Sequence, residues 1–92
     1  MQIKWGKQLE LSELEFNRLR WRSRRGMLEL DLLLLPFFDE VFPELESDEQ
    51  QAFIKLLEQE DPILWDWFSR KSESDDPELA ALVERILDRV QP

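Results

Sequence analysis

The sequence predicts an all-α fold, a small single-domain five-helix bundle. Apolar residues recur at helical spacing in successive segments, and proline, glycine or short polar runs separate these segments. No segment alternates apolar and polar residues over the length of a strand. The 92 residues have room for one small domain, to which we assign residues 11–92. Residues 1–10 show no sustained period, and we expect a flexible N-terminal extension there.

The first helix is expected to run from Ser12 to Ser23 or Arg24. Ser12 and Glu15 have the spacing of a capping box, in which each side chain accepts a hydrogen bond from the other residue's amide. The predicted buried contacts of this helix are Phe16, Leu19 and Trp21. Arg18 and Arg22 are four residues apart and are expected on an exposed face. Gly26 follows as the residue expected to take a left-handed backbone after the helix.

The second helix, expected over residues 27–42, is the predicted centre of the core. At about 100° per residue, one broad arc of this helix collects the predicted core residues Met27, Leu30, Leu34, Phe37, Phe38, Val41 and Phe42. Leu33 and Pro36 fall on the opposite stripe with Glu29, where we expect them to face water. Because proline has no amide hydrogen, Pro36 predicts a kink or two short helices that meet there.

Asp31 is an exception within the second helix, because its direction falls on the side that is expected to be buried. A carboxylate in that position is costly without a partner. We expect an arginine, a backbone amide or a tryptophan N–H to satisfy it, and we interpret Asp31 as a structural acid.

The third helix is expected from Ser47 to about Glu60, with Ser47 and Gln50 as a second capping box. Asp61 followed by Pro62 predicts a cap and a proline at the first position of a short fourth helix. The aromatic residues of that helix are expected to pack in the core, with a hydrophobic partner groove as the alternative.

A polar surface loop is expected over residues 71–76. Asp76 and Pro77 then repeat the cap-and-proline start and open the fifth helix. Its predicted buried stripe is Leu79, Leu82, Val83, Ile86, Leu87 and Val90.

The composition argues against an enzyme and against a metal site. Cysteine, histidine and tyrosine are all absent, which removes the usual nucleophiles, the commonest general base and the preferred ligands of zinc. The acidic clusters lack the spaced carboxylates and turn glycine of a calcium loop. We therefore predict no catalytic residues and no metal ligands.

The net charge of −9 is unevenly distributed, with +4 over residues 1–25 and −13 over residues 26–92. The acidic body disfavours nucleic-acid binding, although a local acidic partner can still reach the basic end. No apolar run approaches the ~20 residues of a membrane helix, so we expect no membrane insertion. The first residues do not resemble a signal or transit peptide, and we expect a cytoplasmic location.

A mixed-charge corner between the first two helices is the candidate recognition site. It contains Arg24, Arg25, Gly26 and Glu29, and Leu33 and Pro36 extend it along the second helix. An arginine can bind a carboxylate with two hydrogen bonds, and a glycine lets another backbone approach closely. The alternative is that the arginines only complement the negative end of the first helix. The residues alone thus indicate a contact site of unknown partner.

At this corner the chain resembles the succinate dehydrogenase assembly factor family, also called the FAD assembly factor SdhE family. The family signature R-G-x-x-E is present as residues 25–29 within the longer run Arg24–Asp31. Further matches are Pro36-Phe37-Phe38, Leu56-Leu57-Glu58, Asp61-Pro62 and residues 64–68. The resemblance covers about residues 18–70, whereas the fifth helix matches in type and position alone and the residues ahead of the first helix depart from the family.

The resemblance implies a compact five-helix assembly factor that is not an enzyme. It would bind the flavoprotein subunit of succinate dehydrogenase, and by extension that of fumarate reductase, and promote covalent attachment of FAD to that subunit. FAD would then be attached to the partner and not held stably by this chain. The carried-over contact residues are Arg25, Gly26 and Glu29. An antitoxin-like protein-binding module is the alternative, and co-expression rescue from a neighbouring toxin would distinguish it.

Overall fold

Five α-helices and one short 3-10 turn make up residues 11–90, the part of the chain that the structure, a computed structural model, describes. The helices are α1 (Glu13–Ser23), α2 (Leu28–Glu40), α3 (Ser47–Leu57), α4 (Asp61–Phe68) and α5 (Pro77–Val90), and the 3-10 turn (Phe42–Glu44) follows α2. These residues contain no strand, so the predicted all-α five-helix bundle is confirmed. The extension predicted over residues 1–10 lies outside the described residues.

The start of α1 forms the predicted capping box. The Ser12 hydroxyl accepts a hydrogen bond from the Glu15 amide at 3.1 Å, and the Glu15 carboxylate accepts one from the Ser12 amide at 3.0 Å. At the other end, the buried Ser23 hydroxyl donates to the Leu19 carbonyl at 2.9 Å. These bonds satisfy polar groups at the helix start and inside its last turn.

The core is centred on α2, whose predicted face is largely confirmed. Leu30, Leu34, Phe37 and Phe38 are buried, as is Phe42 in the 3-10 turn. Neighbouring rings from three helices and the turn lie 4.8 to 6.3 Å apart between centroids, with Phe16 from α1 and Phe53 from α3 completing the cluster. Aromatic pairs at this separation add to the stabilisation that burial provides.

Two local predictions were wrong, and a third was wrong in part. Pro36 lies inside one continuous helix, so the two short helices are ruled out, whereas the kink that was the alternative stays a prediction. Ser47 is the first residue of α3 and not its cap, because Glu46 takes the cap position. Gln50 does not complete a capping box either, since it is buried and its side-chain amide donates to the Phe42 carbonyl at 3.0 Å. Asp61 is likewise the first residue of α4, which leaves its carboxylate free to bond elsewhere.

Two predicted core contacts lie at the surface. The Trp21 side chain on α1 is 70% exposed, and Val90 at the end of α5 is 48% exposed. The rest of the predicted stripe on α5 is buried, and the polar segment before it lies outside any helix, as expected. Trp65 and Trp67 are half-buried and pack against the core.

Candidate functional site

The connection between α1 and α2 turns sharply at Gly26. We call residues 24–29 the corner. Arg24 and Met27 have extended backbones, and Gly26 between them has a φ of 84°, which only glycine adopts without strain. A β-carbon at Gly26 would meet no atom within 4 Å. The backbone angle, and not crowding within the chain, is therefore what requires glycine here.

The Arg25 side chain is directed into its own protein. Its Nε donates to the Asp61 carboxylate at 2.8 Å, and its Nη2 donates to the Gln59 carbonyl at 2.7 Å. Its Nη1 donates to two carbonyls, those of Arg22 at 2.9 Å and Leu57 at 3.0 Å. Only 15% of the side chain is exposed, and four of its five N–H groups are used.

Arg25 therefore ties the corner to the connection between α3 and α4. Leu57 is the last residue of α3, so its carbonyl belongs to the negative end of that helix, where a cation is favourable. From the sequence the Arg25 guanidinium was expected to be open to a partner, but four of its five N–H donors are used within the chain. The geometry gives Arg25 a role in positioning the corner, and direct partner contact by Arg25 stays a prediction.

Asp31 contributes a second tie inside the corner. Its Oδ1 accepts a hydrogen bond from the Arg25 backbone amide at 2.7 Å, and the residue is half-buried. A backbone amide was one of the three donors expected for this acid. The Arg25 main chain is thereby fixed to the first turns of α2, while its side chain is fixed to α4.

The outer side of the corner is open. Gly26 and Glu29 are exposed, and Glu29 has no ion pair within residues 11–90. Met27 caps α2 without a side-chain hydrogen bond, so no side chain of the cap accepts from the first-turn amides. This side of the corner can therefore offer a carboxylate, amide donors and close backbone approach together.

Two exposed leucines border Glu29, and sequence reasoning missed them. Leu28 is 67% exposed and Leu32 is 60% exposed, one helical turn apart. For Leu32 the signal was present in the run of leucines at 32–35, because successive residues on a helix point about 100° apart and a helix at the surface does not bury all of them. An apolar strip thus lies beside the polar part of the corner.

Leu33 and Pro36, which were expected to face water, are both half-buried. Leu33 packs against the core and lines a shallow groove of about 400 Å³ between α2, α4 and α5. Glu29 lies at this groove with Leu32, Trp65, Phe68 and Val90. Pro36 is not part of the lining, but its missing N–H deprives the Leu32 carbonyl of its usual helical donor.

Arg24 is not part of this groove's lining. It is exposed, and its guanidinium carbon is 5.8 Å from the centre of the Trp21 ring. That distance is within the range of a cation–π interaction. The predicted site residues therefore divide into an inward group of Arg25 and Asp31 and an outward group of Arg24, Gly26 and Glu29.

Two further properties of residues 11–90 bear on function. No three histidine, cysteine or acidic residues in this range are grouped so that they could hold a metal ion. None of its helices combines the length and the apolar character that crossing a bilayer requires.

Comparison with known proteins identifies close relatives. A family model described as flavinator of succinate dehydrogenase matches residues 17–90. A protein of Pseudomonas putida named FAD assembly factor SdhE is 51% identical over 82 residues, which cover 89% of this chain and 98% of the relative. The proteins of the same name from Pseudomonas aeruginosa and Shewanella oneidensis are 54% and 48% identical, covering 87% and 82% of this chain and 95% and 92% of the relatives.

Proposed function

The chain belongs to the family described as flavinator of succinate dehydrogenase, and from this membership we propose that it binds the flavoprotein subunit of that enzyme and promotes covalent FAD attachment there. The observation that carries the proposal is the corner itself. The R-G-x-x-E run is folded so that Arg25 and Asp31 hold it in place while Gly26 and Glu29 face outward. This arrangement suits recognition of a protein surface.

The flavin is proposed to become linked to the partner and not to this chain. Covalent attachment of a flavin usually needs a histidine, cysteine or tyrosine side chain, and the sequence contains none of these. With only two glycines, the sequence also lacks a glycine-rich loop that could cradle the FAD phosphates. We therefore infer an assembly factor without catalytic residues of its own.

The proposed contact surface combines Gly26, Glu29, Leu28 and Leu32. Gly26 permits a partner backbone to approach, since no side chain projects from it, and the Glu29 carboxylate can accept hydrogen bonds from partner donors. The two exposed leucines supply apolar area next to these polar groups. Arg25 acts from behind this surface by fixing its shape.

The proposed mechanism is conformational. Bound at this corner, the chain holds the partner's flavin domain in the state that aligns the flavin with its acceptor side chain. The stabilisation of that state equals the difference between the chain's affinity for it and its affinity for other states of the partner. No residue of this chain needs to reach the reacting atoms.

Co-expression with the apo flavoprotein subunit tests the proposal, with covalent flavin read by fluorescence of the denatured subunit in a gel. We expect the parent chain to raise flavin incorporation, and Gly26→Arg and Glu29→Ala to lower it. Leu33→Ala should have a smaller effect than Gly26→Arg, because Leu33 is half-buried in the groove wall. Equal incorporation with and without the parent chain would contradict the proposal.

Matched variants separate loss of binding from loss of folding. Gly26→Ala carries the same backbone strain as Gly26→Arg but adds little bulk, so it should retain more activity. Glu44→Ala removes an exposed carboxylate from the 3-10 turn, away from the corner, and should leave incorporation unchanged. A parallel assay with the fumarate reductase flavoprotein subunit tests whether the chain also serves that enzyme. A cytoplasmic location stays a prediction.

A further inference from the structure

A surface on α1 stands apart from the rest of the protein because its cations are not paired. Residues 11–90 contain ten lysines and arginines, and six of them form ion pairs with carboxylates. Among the described residues, the cations without an ion pair are Arg18, Arg22, Arg24 and Lys71. Three of these four are therefore concentrated within one short segment.

The three arginines surround one exposed tryptophan. Arg18, Trp21 and Arg22 share a face of α1 because they are three and four residues apart, and all three are exposed. Arg24 completes the group by lying over the Trp21 ring at 5.8 Å. We call Arg18, Trp21, Arg22 and Arg24 the basic-aromatic surface. Leu14, one turn before Arg18, extends it with an apolar side chain that is 60% exposed.

The absence of ion pairs at these three arginines, among the described residues, is unexpected in a chain with 21 acidic residues. Arg20, on the same helix, forms a bidentate pair with Asp39 of α2, so carboxylates are within reach of α1 where its other side meets the bundle. The outward arginines have no such neighbour among the described residues. Arginine and tryptophan are also the residue types that interfaces favour at their most important contacts.

We propose that the basic-aromatic surface is a second contact region for the flavoprotein subunit, and that it binds an acidic segment of that partner. This inference rests on the proposed function and adds the chemistry of the partner's surface. The unpaired guanidinium groups would bind carboxylates, and the Trp21 ring with Leu14 would cover the apolar stems beside them. The corner, residues 24–29, shares Arg24 with this surface, so one partner can span both.

The charge distribution favours a local acidic protein segment over a polyanion. Residues 26–92 carry a net charge of −13, which repels an extended phosphate backbone or an anionic bilayer approaching over a large area. A short acidic segment meets only the basic end, since exposed charges are screened beyond about 8 Å at physiological salt.

The decisive experiment compares two variants of equal net charge. In the first, Arg18→Gln, Arg22→Gln and Arg24→Gln are combined, which removes the unpaired cations. In the control, Arg70→Gln, Arg85→Gln and Arg89→Gln are combined, which removes cations that are paired with Glu84, Glu49 and Glu40. Affinity of the full chain is measured for the apo flavoprotein subunit and, separately, for a short polyglutamate peptide, at low and high salt.

We expect the first variant to lose about tenfold in affinity for both probes at low salt, and the control to lose less than about twofold. High salt should reduce the difference in affinity between the two triple variants, because the proposed contacts are exposed and their charges are screened. Trp21→Ala should weaken binding of the flavoprotein subunit without changing the salt dependence. Circular dichroism of every variant checks that the helices are retained.

The outcomes separate this inference from the proposed function. If the flavoprotein subunit binds the parent and both triple variants equally, the second contact region is wrong while the proposed function stands. If polyglutamate binding depends on the three arginines but the subunit does not bind at all, the acidic-segment chemistry stands and the proposed function fails. Tighter, arginine-dependent binding of duplex DNA or of phosphatidylglycerol vesicles would overturn the choice of a protein partner.

Discussion

Within residues 11–90 the backbone is left-handed at two places, and the two turns are stabilised differently. Gly26 between α1 and α2 has a φ of 84°, and Arg70 after α4 has a φ of 64°. At Arg70 the turn closes the end of α4, because the Arg70 amide donates to the Trp67 carbonyl and the Lys71 amide donates to the Asp66 carbonyl. This is a Schellman motif, whose left-handed position is usually a glycine.

The arginines at the two turns also differ. The Arg25 side chain, next to Gly26, is 15% exposed and bonds to four other residues of the chain. Arg70 is 54% exposed and bonds to Glu84 alone, through two hydrogen bonds. The second turn shows that this fold can place a large side chain at a positive φ. At position 26 glycine avoids the strain of the left-handed backbone, and no crowding within the chain forbids a side chain there.

The sharpest test of this contrast is the removal of each arginine. Arg25→Ala should lower the free energy of unfolding by about 2–4 kcal/mol, because it leaves a half-buried carboxylate and helix-end carbonyls without their donor. Arg70→Ala should cost less than about 1 kcal/mol, because its ion pair is exposed. Urea unfolding followed by circular dichroism measures both. Equal losses would mean that the two turns depend on their arginines to the same extent.

A smaller loss of unfolding free energy is expected at Asp31, which binds the Arg25 amide within the corner. Asp31→Ala should cost about 1–2 kcal/mol, because the Arg25 amide loses a charged acceptor in a half-buried place. Asp31→Asn should cost less, since an amide oxygen can still accept that bond. The same unfolding measurement applies, with the exposed Glu84→Ala as the control at the second turn. A loss at Asp31 no larger than that control would contradict a structural role for this acid.

Substitutions at the two left-handed positions should change the free energy of unfolding by about 1 kcal/mol in opposite directions. Gly26→Ala is destabilising because alanine resists the positive φ, even though its β-carbon would meet no neighbour. Arg70→Gly should be more stable than Arg70→Ala by a similar amount, since both lose the ion pair and only glycine relieves the strain. Thermal unfolding of the three variants gives the comparison, and a stable Gly26→Ala would show that the corner tolerates a side chain.

The smallest expected effect is a pH dependence at the second turn. The hydrogen bonds from Arg70 hold the pKa of Glu84 below its usual value of 4.5. A group with a lowered pKa contributes stability above its unfolded pKa and loses it as the pH falls through the folded pKa. Stability should therefore decrease on acidification below about pH 4.5, and Glu84→Gln should make that decrease shallower. An unchanged acid profile in Glu84→Gln would show that the exposed pair contributes nothing measurable.

The fold could be predicted because its signals are local. The spacing of apolar residues placed Leu30, Leu34 and Phe37 on one face of α2, and the Ser12 capping box marked the start of α1. Gly26 was predicted correctly as a left-handed residue for the same reason, since its backbone conformation depends on its own chemistry. Periodicity and capping are readable over a few residues.

The site was less predictable because its decisive contacts are distant in sequence. The acceptors of the Arg25 side chain at Leu57, Gln59 and Asp61 lie 32 to 36 residues away, and nothing near Arg25 indicates them. Gln50 was misread as a capping residue because its actual acceptor, the Phe42 carbonyl, lies in a preceding turn. Leu33 was expected to face water because a helix pattern alone does not show which neighbouring helices cover its flanks.

The double attachment of Arg25 also affects the timescale on which the corner moves. Its amide is bonded to Asp31 and its side chain to the connection between α3 and α4, so full opening of the corner has to break both attachments. The Arg25 amide hydrogen should therefore exchange with solvent through a larger opening, and more slowly than those of a free loop. A turn that is already ordered in this way would lose little conformational entropy on binding the partner that we propose for it.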